Sequence, residues 1–383
     1  MEIYDEKSFD TDLDDDETDQ TDDYILPRLS FDEKLTAHRN NRLNETFGQK
    51  NFPFQFQSNK QIRINNNTLV PLRCKIPYNN RRIHIYENSC HMLDIAIDWQ
   101  LRSLLFHDHI TVLDRSFSLN EIRAFATAIE ANLESLTLSS VGLTTRSIHI
   151  LCQGLKKCIH LNLLDLSCNK LSKESFQLLV NTINRFSSLH YLSLANCGIQ
   201  DSYGRSIGDL CRHRRLIEID LSGNEFEDMA CILIGGALTE NICLIDLNLS
   251  WNFIRSYASI ALFRGCEVNK TLKEFDISWS NLGYDGSVAL RRVLIINQFL
   301  QRLNISNCNI DRTSAKLISE GLEKNSILQK IDLSFNPLTT YGVHDIVQAL
   351  NHKKSAVSIL DISVGLIIYL IFILINFICV SMV

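Results

Sequence analysis

The chain has 383 residues, of which 45% are hydrophobic and 21% charged, an ordinary globular composition. Its formal net charge is −6, but residues 1–23 hold twelve acidic residues against Lys7 alone, so this segment carries −11 and the remainder +5. No segment combines basic and interleaved aromatic residues, and an acidic start would repel phosphate, which argues against a nucleic-acid partner.

The twelve cysteines do not form the disulfide pattern of a small secreted domain, and the acidic start is unlike a secretory signal. We therefore expect reduced thiols and a cytoplasmic protein.

Three segments precede the main part of the chain. Residues 1–30 are highly charged with few large apolar side chains, which predicts an acidic disordered segment. Residues 31–90 are rich in Asn, Arg and Gln and predict a polar, weakly structured region. Residues 91–132 predict an N-terminal cap that includes a helix. The apolar residues at approximate helical spacing are Ile95, Trp99, Leu101, Leu104 and Leu105.

An internal repeat dominates the rest of the chain. Eight copies of the pattern L-x-x-L-x-L recur at intervals of 28 residues, with one interval of 27. The copies begin at Leu133, Leu161, Leu189, Leu216, Leu244, Leu272, Leu300 and Leu328. Apolar residues fill the fourth and sixth positions of every copy, and this alternation is typical of a short strand with one buried face. The array is predicted to span residues 133–355.

The remainder of each copy predicts a turn followed by a helix. The ninth position is Asn in four of the eight copies, and a buried Asn can hydrogen-bond the backbone where the chain leaves the strand. Cys197, Cys308 and Ser280 can fill the same position with fewer hydrogen bonds. Apolar residues four apart then follow, such as Leu290 and Leu294, and indicate one helical face turned to the core.

Strand, turn and helix in every copy predict an α/β leucine-rich repeat solenoid. Parallel strands stack about 4.8 Å apart while packed helices need about 8–10 Å, so the stack should curve into a horseshoe with concave strands and convex helices. A degenerate copy from His107 to Ile129 should cap its N-terminal end.

Several strings extend this interpretation to a family. L-A-N-C-G-I at 194–199 and N-I-S-N-C-N-I at 304–310 resemble the ribonuclease-inhibitor class of leucine-rich repeats. L-N-L-S-W-N at 247–252, D-I-S-W-S-N-L-G-Y-D-G at 276–286 and the segment 321–338 are similar to the leucine-rich repeat-containing protein 74 group. The resemblance covers about residues 105–350 and implies a non-enzymatic interaction scaffold.

The second, third, fifth, seventh and eighth positions should face the concave surface, because they alternate with the buried columns. In the eighth column, Trp251 and Trp279 lie on neighbouring strands, so their rings should stack about 5 Å apart, and Phe335 follows two copies later. Interface energy concentrates in such aromatic residues, which makes this column a predicted partner-binding site. The alternative is that the tryptophans shield the strand edge and add stability.

Acidic residues accompany the aromatic ones. Asp220, Asp276 and Asp332 occupy the fifth position, and Asp246 and Glu274 the third, so the middle of the strand face should be acidic. Partner contact is one interpretation of the aspartates. The other is structural, since the string L-D-L-S is common in this repeat class.

No catalytic, metal or cofactor site is predicted. His107 and His109 would share one strand face, but no third ligand follows at metal-binding spacing, and a degenerate cap explains them better. The function that we expect is a scaffold that binds a protein partner on its concave face. A regulator of a small GTPase and a structural component of a cilium or flagellum are the alternatives.

The C-terminal tail allows two interpretations. Residues 362–383 carry no charge and would span about 33 Å as a helix, enough to cross a bilayer, so they could attach the protein to an intracellular membrane with the repeats in the cytosol. Alternatively, Val357, Leu360 and Ile362 resume the repeat 29 residues after Leu328, as though a ninth copy begins and is then interrupted. Residues 356–383 are therefore either an anchor or an interrupted repeat.

Overall fold

The computed structural model of the protein describes residues 81–351 and 355–363. The helices are α1 (Arg81–Met92), α2 (Trp99–Leu104), α3 (Leu119–Ala128), α4 (Thr145–Leu155), α5 (Lys173–Ile183), α6 (Gly204–Cys211), α7 (Asp228–Glu240), α8 (Ser256–Val268), α9 (Gly283–Ile296), α10 (Arg312–Leu322) and α11 (Thr339–Leu350). The strands are β1 (His109–Leu113), β2 (Ser135–Ser139), β3 (Leu163–Asp165), β4 (Tyr191–Ser193), β5 (Glu218–Asp220), β6 (Asp246–Asn248), β7 (Glu274–Asp276), β8 (Arg302–Asn304), β9 (Lys330–Asp332) and β10 (Ile359–Asp361).

The ten strands form one parallel sheet in chain order. A helix lies between each strand and the next, and each helix packs against the helix of the following copy. The register places fourth positions side by side, as in the pairs Leu136 with Leu164 and Leu247 with Phe275. Every fourth- and sixth-position side chain of the eight copies is at most 3% exposed. The predicted α/β leucine-rich repeat solenoid is confirmed, with strands on one face and helices on the other.

The ninth-position asparagines fill the predicted role. Asn169 is 1% exposed. Its Nδ2 donates to the carbonyls of Leu138 and Leu166, and its Oδ1 accepts from the backbone N–H groups of Val141 and Leu143. Asn224 and Asn336 make the equivalent bonds. Asn252 makes both donor bonds, and its Oδ1 accepts from the N–H group of Phe226. One amide thus joins the exits of two adjacent strands, which keeps their buried backbone groups paired.

The thiols at the ninth position make fewer bonds, as expected. The Cys197 Sγ donates to the carbonyls of Leu166 and Ala195, and the Cys308 Sγ to those of Ile277 and Ser306. Burial raises the pKa of both thiols well above the ordinary range. These cysteines are therefore structural and poor nucleophiles.

A second column of asparagines lies at the other end of the strands, three residues before the start of a copy. We did not predict it. Asn241 donates from Nδ2 to the carbonyls of Cys211 and His213, and its Oδ1 accepts from the N–H groups of Cys243 and Leu244. Its equivalents are Asn269, Asn297 and Asn325. The same residue type at a constant interval is the signal that could have identified this column.

His213 holds the equivalent place one copy earlier. Its Nδ1 accepts from the N–H groups of Arg215 and Leu216, at 3.2 and 3.1 Å. Only a neutral imidazole can accept at Nδ1, and burial lowers the pKa of His213 below its ordinary value. A histidine therefore serves here as an asparagine substitute.

The N-terminal cap begins earlier than the predicted residue 91. Helix α1 starts at Arg81, inside the range 31–90 that we predicted to be weakly structured, because Ile83, Tyr86 and Cys90 share one buried face. Arg82 donates to the His107 carbonyl and pairs with Asp108, which ties α1 to the start of the sheet.

The helix predicted within the cap, from the apolar residues between Ile95 and Leu105, is the short helix α2. Asp98 ends the preceding loop and accepts the N–H groups of Gln100 and Leu101, so the helix can begin only at Trp99. Leu101 and Leu105 are buried as expected, whereas Trp99 is 69% exposed and lies against the Arg102 guanidinium. Beyond it, β1 and α3 form the degenerate copy, and Ile110 pairs in register with Leu136.

The sheet continues past the predicted end of the array. Leu360 pairs with Ile331, and the N–H groups of Leu333 and Phe335 donate to the carbonyls of Asp361 and Ser363. A ninth copy therefore begins, at the spacing that Val357, Leu360 and Ile362 predicted.

No helix within the described ranges has the length and apolar character needed to cross a membrane. The proposed anchor in the tail, from residue 364 onward, and the predictions for residues 1–80 lie outside the described residues.

Candidate protein-binding face

The eighth position of each copy has a left-handed backbone. Its φ is positive in all eight copies and at Asp114 of the cap, with values between 49° and 67°. The residues are Asp114, Ser140, Cys168, Asn196, Gly223, Trp251, Trp279, Asn307 and Phe335. The chain turns here from strand towards helix. The N–H group of the eighth residue still donates to a carbonyl of the next copy, as from Trp251 to Ser278 at 3.0 Å.

Three aromatic residues occupy this unfavourable conformation. Glycine and asparagine tolerate a left-handed backbone, whereas other residues lose roughly 1–2 kcal/mol. Gly223, Asn196 and Asn307 are the expected residue types. Ser140 and Cys168 are not, and neither are the much bulkier Trp251, Trp279 and Phe335. Strain of this kind persists where a side chain is needed at one place, so the aromatic side chains themselves require an explanation.

The predicted stacking of the tryptophans is confirmed. The ring centroids of Trp251 and Trp279 lie 3.9 Å apart with an interplanar angle of 12°. Phe335 lies 6.3 Å from Trp279 in a tilted arrangement and is 53% exposed. Both tryptophans are half-buried. We call these three rings, of Trp251, Trp279 and Phe335, the aromatic strip.

The fifth-position aspartates have a structural role beside any contact with a partner. Asp220, Asp276 and Asp332 each accept, at Oδ1, the N–H group two residues ahead, at 2.9 or 3.0 Å. Such Asx turns hold the chain where it leaves the strand. Asn248 donates from Nδ2 to Asp220, and Asn304 donates to Asp276, so amide and carboxylate alternate along the column.

Asp332 differs from the other aspartates because the next strand brings Asp361, not Asn, beside it. Burial raises its pKa above the ordinary value, and the charge of Asp361 adds to the effect while hydrogen bonds from Ser334 oppose it. Asp332 is therefore harder to ionise than a free aspartate.

The third position supplies the remaining charges. Glu218, Asp246 and Glu274 follow one another on β5, β6 and β7, and Arg302 and Lys330 continue the column. Glu274 and Arg302 form an ion pair across β7 and β8. Carboxylates thus occupy this column in the middle of the face, and cations occupy its C-terminal end.

The prediction for the seventh position was wrong. We expected it on the open surface, but Ser222, Ser250 and Ser278 are at most 5% exposed. The left-handed residue that follows bends the chain, so strand alternation ends before the seventh side chain. The candidate face therefore consists of the second, third, fifth and eighth positions.

The histidines of the cap are accounted for locally. Asp108 pairs with Arg82, and His109 Nε2 lies 3.7 Å from a carboxylate oxygen of Glu134. Within residues 81–351 and 355–363, no group of three or more His, Cys, Asp or Glu side chains is arranged to hold a metal ion.

Comparison with known proteins identifies the repeat. The leucine-rich repeat family matches residues 157–179, 268–290 and 297–319. Each segment covers the strand, turn and first helical turns of one copy, the second, sixth and seventh. The chain thus carries leucine-rich repeats. No curated protein sequence matches the chain.

Solved structures with a similar arrangement have low sequence identity. An internalin of Listeria monocytogenes is 16% identical, with a TM-score of 0.37 over 76% of this chain and 93% of that one. The tropomodulin C-terminal domain of Caenorhabditis elegans is 17% identical, with a TM-score of 0.28 over 55% and 93%. The actin-binding site 2 of leiomodin-1 is 20% identical, with a TM-score of 0.31 over 39% and 90%.

Proposed function

We propose that the protein is a non-enzymatic scaffold that binds a protein partner on the strand face of its fourth to eighth copies. The observation that carries this proposal is the stacked pair of Trp251 and Trp279 in a left-handed backbone conformation. Large aromatic side chains that are half-exposed at the centre of a face are the residues on which interface energy usually concentrates.

The backbone conformation offsets part of the stability that these tryptophans add. Two left-handed tryptophans cost roughly 2–4 kcal/mol together, whereas a stacked aromatic pair contributes about 0.5–1.5 kcal/mol beyond its buried area. Asparagine at the same position would avoid the backbone cost, as at Asn196 and Asn307. Stacking alone therefore does not offset the backbone cost. Burial of the two half-buried rings adds stability of its own, and we propose partner contact as the use of their exposed faces.

The acidic third and fifth positions define the surroundings of the stack. Glu218, Asp246 and Glu274 lie on the same three strands as Asp220 and Asp276. We propose that these carboxylates select and orient the partner, while the aromatic strip supplies most of the affinity. The Asx-turn bonds of the aspartates remain compatible with this role because each carboxylate has a second oxygen.

Affinity purification with the full chain as bait tests the proposal. The variant W251N/W279N keeps residues that tolerate the left-handed backbone, and W99N removes a 69% exposed tryptophan outside the face as a matched control. We expect quantitative mass spectrometry to show proteins that wild type and W99N capture equally and that W251N/W279N captures at least about tenfold less. Equal capture by all three baits would contradict the proposed site.

A further inference from the structure

A recess lined by basic residues lies at the opposite end of the strands from the aromatic strip. It has a volume of about 450 Å³, and its charged lining residues are Arg185, Asp209, Arg212, Arg214 and Arg215. A smaller recess of about 190 Å³ shares Arg185 with it and extends to Lys156. We call the two together the basic cleft.

The topology explains why these cations lie together. They belong to the loops that lead into β3, β4 and β5, and parallel strands bring successive loops to within about 5 Å of one another. The next loop, residues 241–243, reads Asn, Ile, Cys and has no charge. The basic cleft is therefore confined to three consecutive loops and is not a general property of this edge.

The charge of the cleft is poorly compensated within the described residues. Arg212 pairs with Asp209 at 3.8 Å and with Glu240 at 3.2 Å. Among the described residues, no carboxylate lies within ion-pair distance of Arg185, Arg214 or Arg215, and all three are exposed. His213 adds no charge near neutral pH, because burial lowers its pKa. Three guanidinium groups from two adjacent loops thus face one recess.

We propose that the basic cleft binds a phosphorylated segment of a partner protein. Guanidinium groups bind phosphate through paired N–H donors, and clusters of Arg are a recurrent means of recognising phosphorylated motifs. A phosphate monoester carries close to two negative charges, which matches the excess of positive charge. The recess continues across three loops past the exposed Ile159 and the buried Phe186, which suits an extended chain that runs across the strand starts.

This site is separate from the strand face and does not depend on the proposed function there. Its test uses the full chain and a peptide library with one central phosphoserine and degenerate flanking residues, beside the same library with unmodified serine. The variant R185Q/R214Q/R215Q removes the three cations. The control R146Q/R264Q/K316Q removes three exposed cations from the helices α4, α8 and α10, and so has the same net charge.

We expect wild type and the control to bind the phosphorylated library at least about tenfold more tightly than the unmodified one, and R185Q/R214Q/R215Q to lose that preference. W251N/W279N should retain it. Equal binding of the two libraries, or an equal loss in the cleft variant and the control, would overturn the proposal. Cleft-dependent binding to phosphoinositide vesicles without binding to the phosphopeptides would overturn it in favour of a lipid headgroup.

Discussion

At the eighth position of the repeat, large aromatic side chains occupy a left-handed backbone conformation that favours glycine or asparagine. The column of residue types could be predicted from the sequence, including the stacking of Trp251 and Trp279. The positive φ could not, because Trp and Phe give no local signal for a left-handed turn. The signal lies in the column as a whole, where Gly223, Asn196 and Asn307 show what the backbone prefers.

Replacing both tryptophans tests whether they serve stability. We expect W251N/W279N to lower the free energy of unfolding by about 1–3 kcal/mol in total, because relief of backbone strain offsets the lost stacking and part of the lost burial. Chemical denaturation followed by circular dichroism measures this change, with W99N as the control. A loss of roughly 3–5 kcal/mol per residue, as for an aromatic side chain of a core, would show that the rings are structural.

His213 makes the stability of the array depend on pH. Its pKa is lowered in the folded state, so below about pH 6.5 the unfolded chain binds a proton that the folded chain resists. The contribution is therefore intact above that pH and is lost as the pH falls.

Asparagine fills the same place in the next four copies, which makes H213N the matched variant. We expect H213N to resemble wild type at pH 7.5 and to exceed it in the free energy of unfolding by up to about 1 kcal/mol at pH 5.5. Urea denaturation at the two pH values measures the difference. An identical pH dependence in both proteins would contradict the structural role assigned to the neutral imidazole.

At the scale of elements, the strands were predictable and the spacing of the helices was not. The positions of the buried Leu columns fix each strand and its register. How closely two helices approach depends on residues without a hydrophobic signal, such as Gly235 of α7 and Gly265 of α8. A methyl group on Gly235 would lie 2.2 Å from the Ala261 carbonyl oxygen, and one on Gly265 would lie 2.3 Å from that of Gly235.

Two adjacent glycines of α7 give a matched test of this close approach. G235A should lower the free energy of unfolding by about 1–3 kcal/mol, because the new methyl group meets the backbone of α8. At Gly236 the nearest atom to an added methyl group is Arg212 Nη2 at 4.0 Å, so G236A should raise the free energy by about 0.5–1 kcal/mol through helix propensity. Thermal denaturation of both variants checks the signs. Equal effects would contradict the packing of α7 on α8.

At the scale of the whole molecule, the array was predictable and its ends were not. The period predicted the order of the strands in the eight copies, because repeats stack on their neighbours in sequence. The N-terminal end was misplaced, because α1 buries Ile83 and Tyr86 in a stretch of otherwise polar composition. The C-terminal pattern of Val357, Leu360 and Ile362 was recognised, and β10 shows that it forms a strand.

The two candidate sites differ in how well they could be predicted from the sequence. The strand face follows from the repeat, since each of its residues sits at a fixed position of a copy. The basic cleft follows less directly, because Lys156, Arg185 and Arg214 lie about one repeat apart but at different positions of their loops, so no column of the repeat marks the charge. Only the stacking of three loops brings their charges together.

Site-specific photo-crosslinking tests most directly the claim that the strand face binds a protein. A photoreactive phenylalanine analogue replaces Lys273, exposed at the start of β7, in one protein, and Arg264, exposed on α8, in another. We expect the protein whose capture depends on Trp251 and Trp279 to crosslink from position 273 and not from position 264. Crosslinking from position 264 alone would place the partner on the helices and contradict the account.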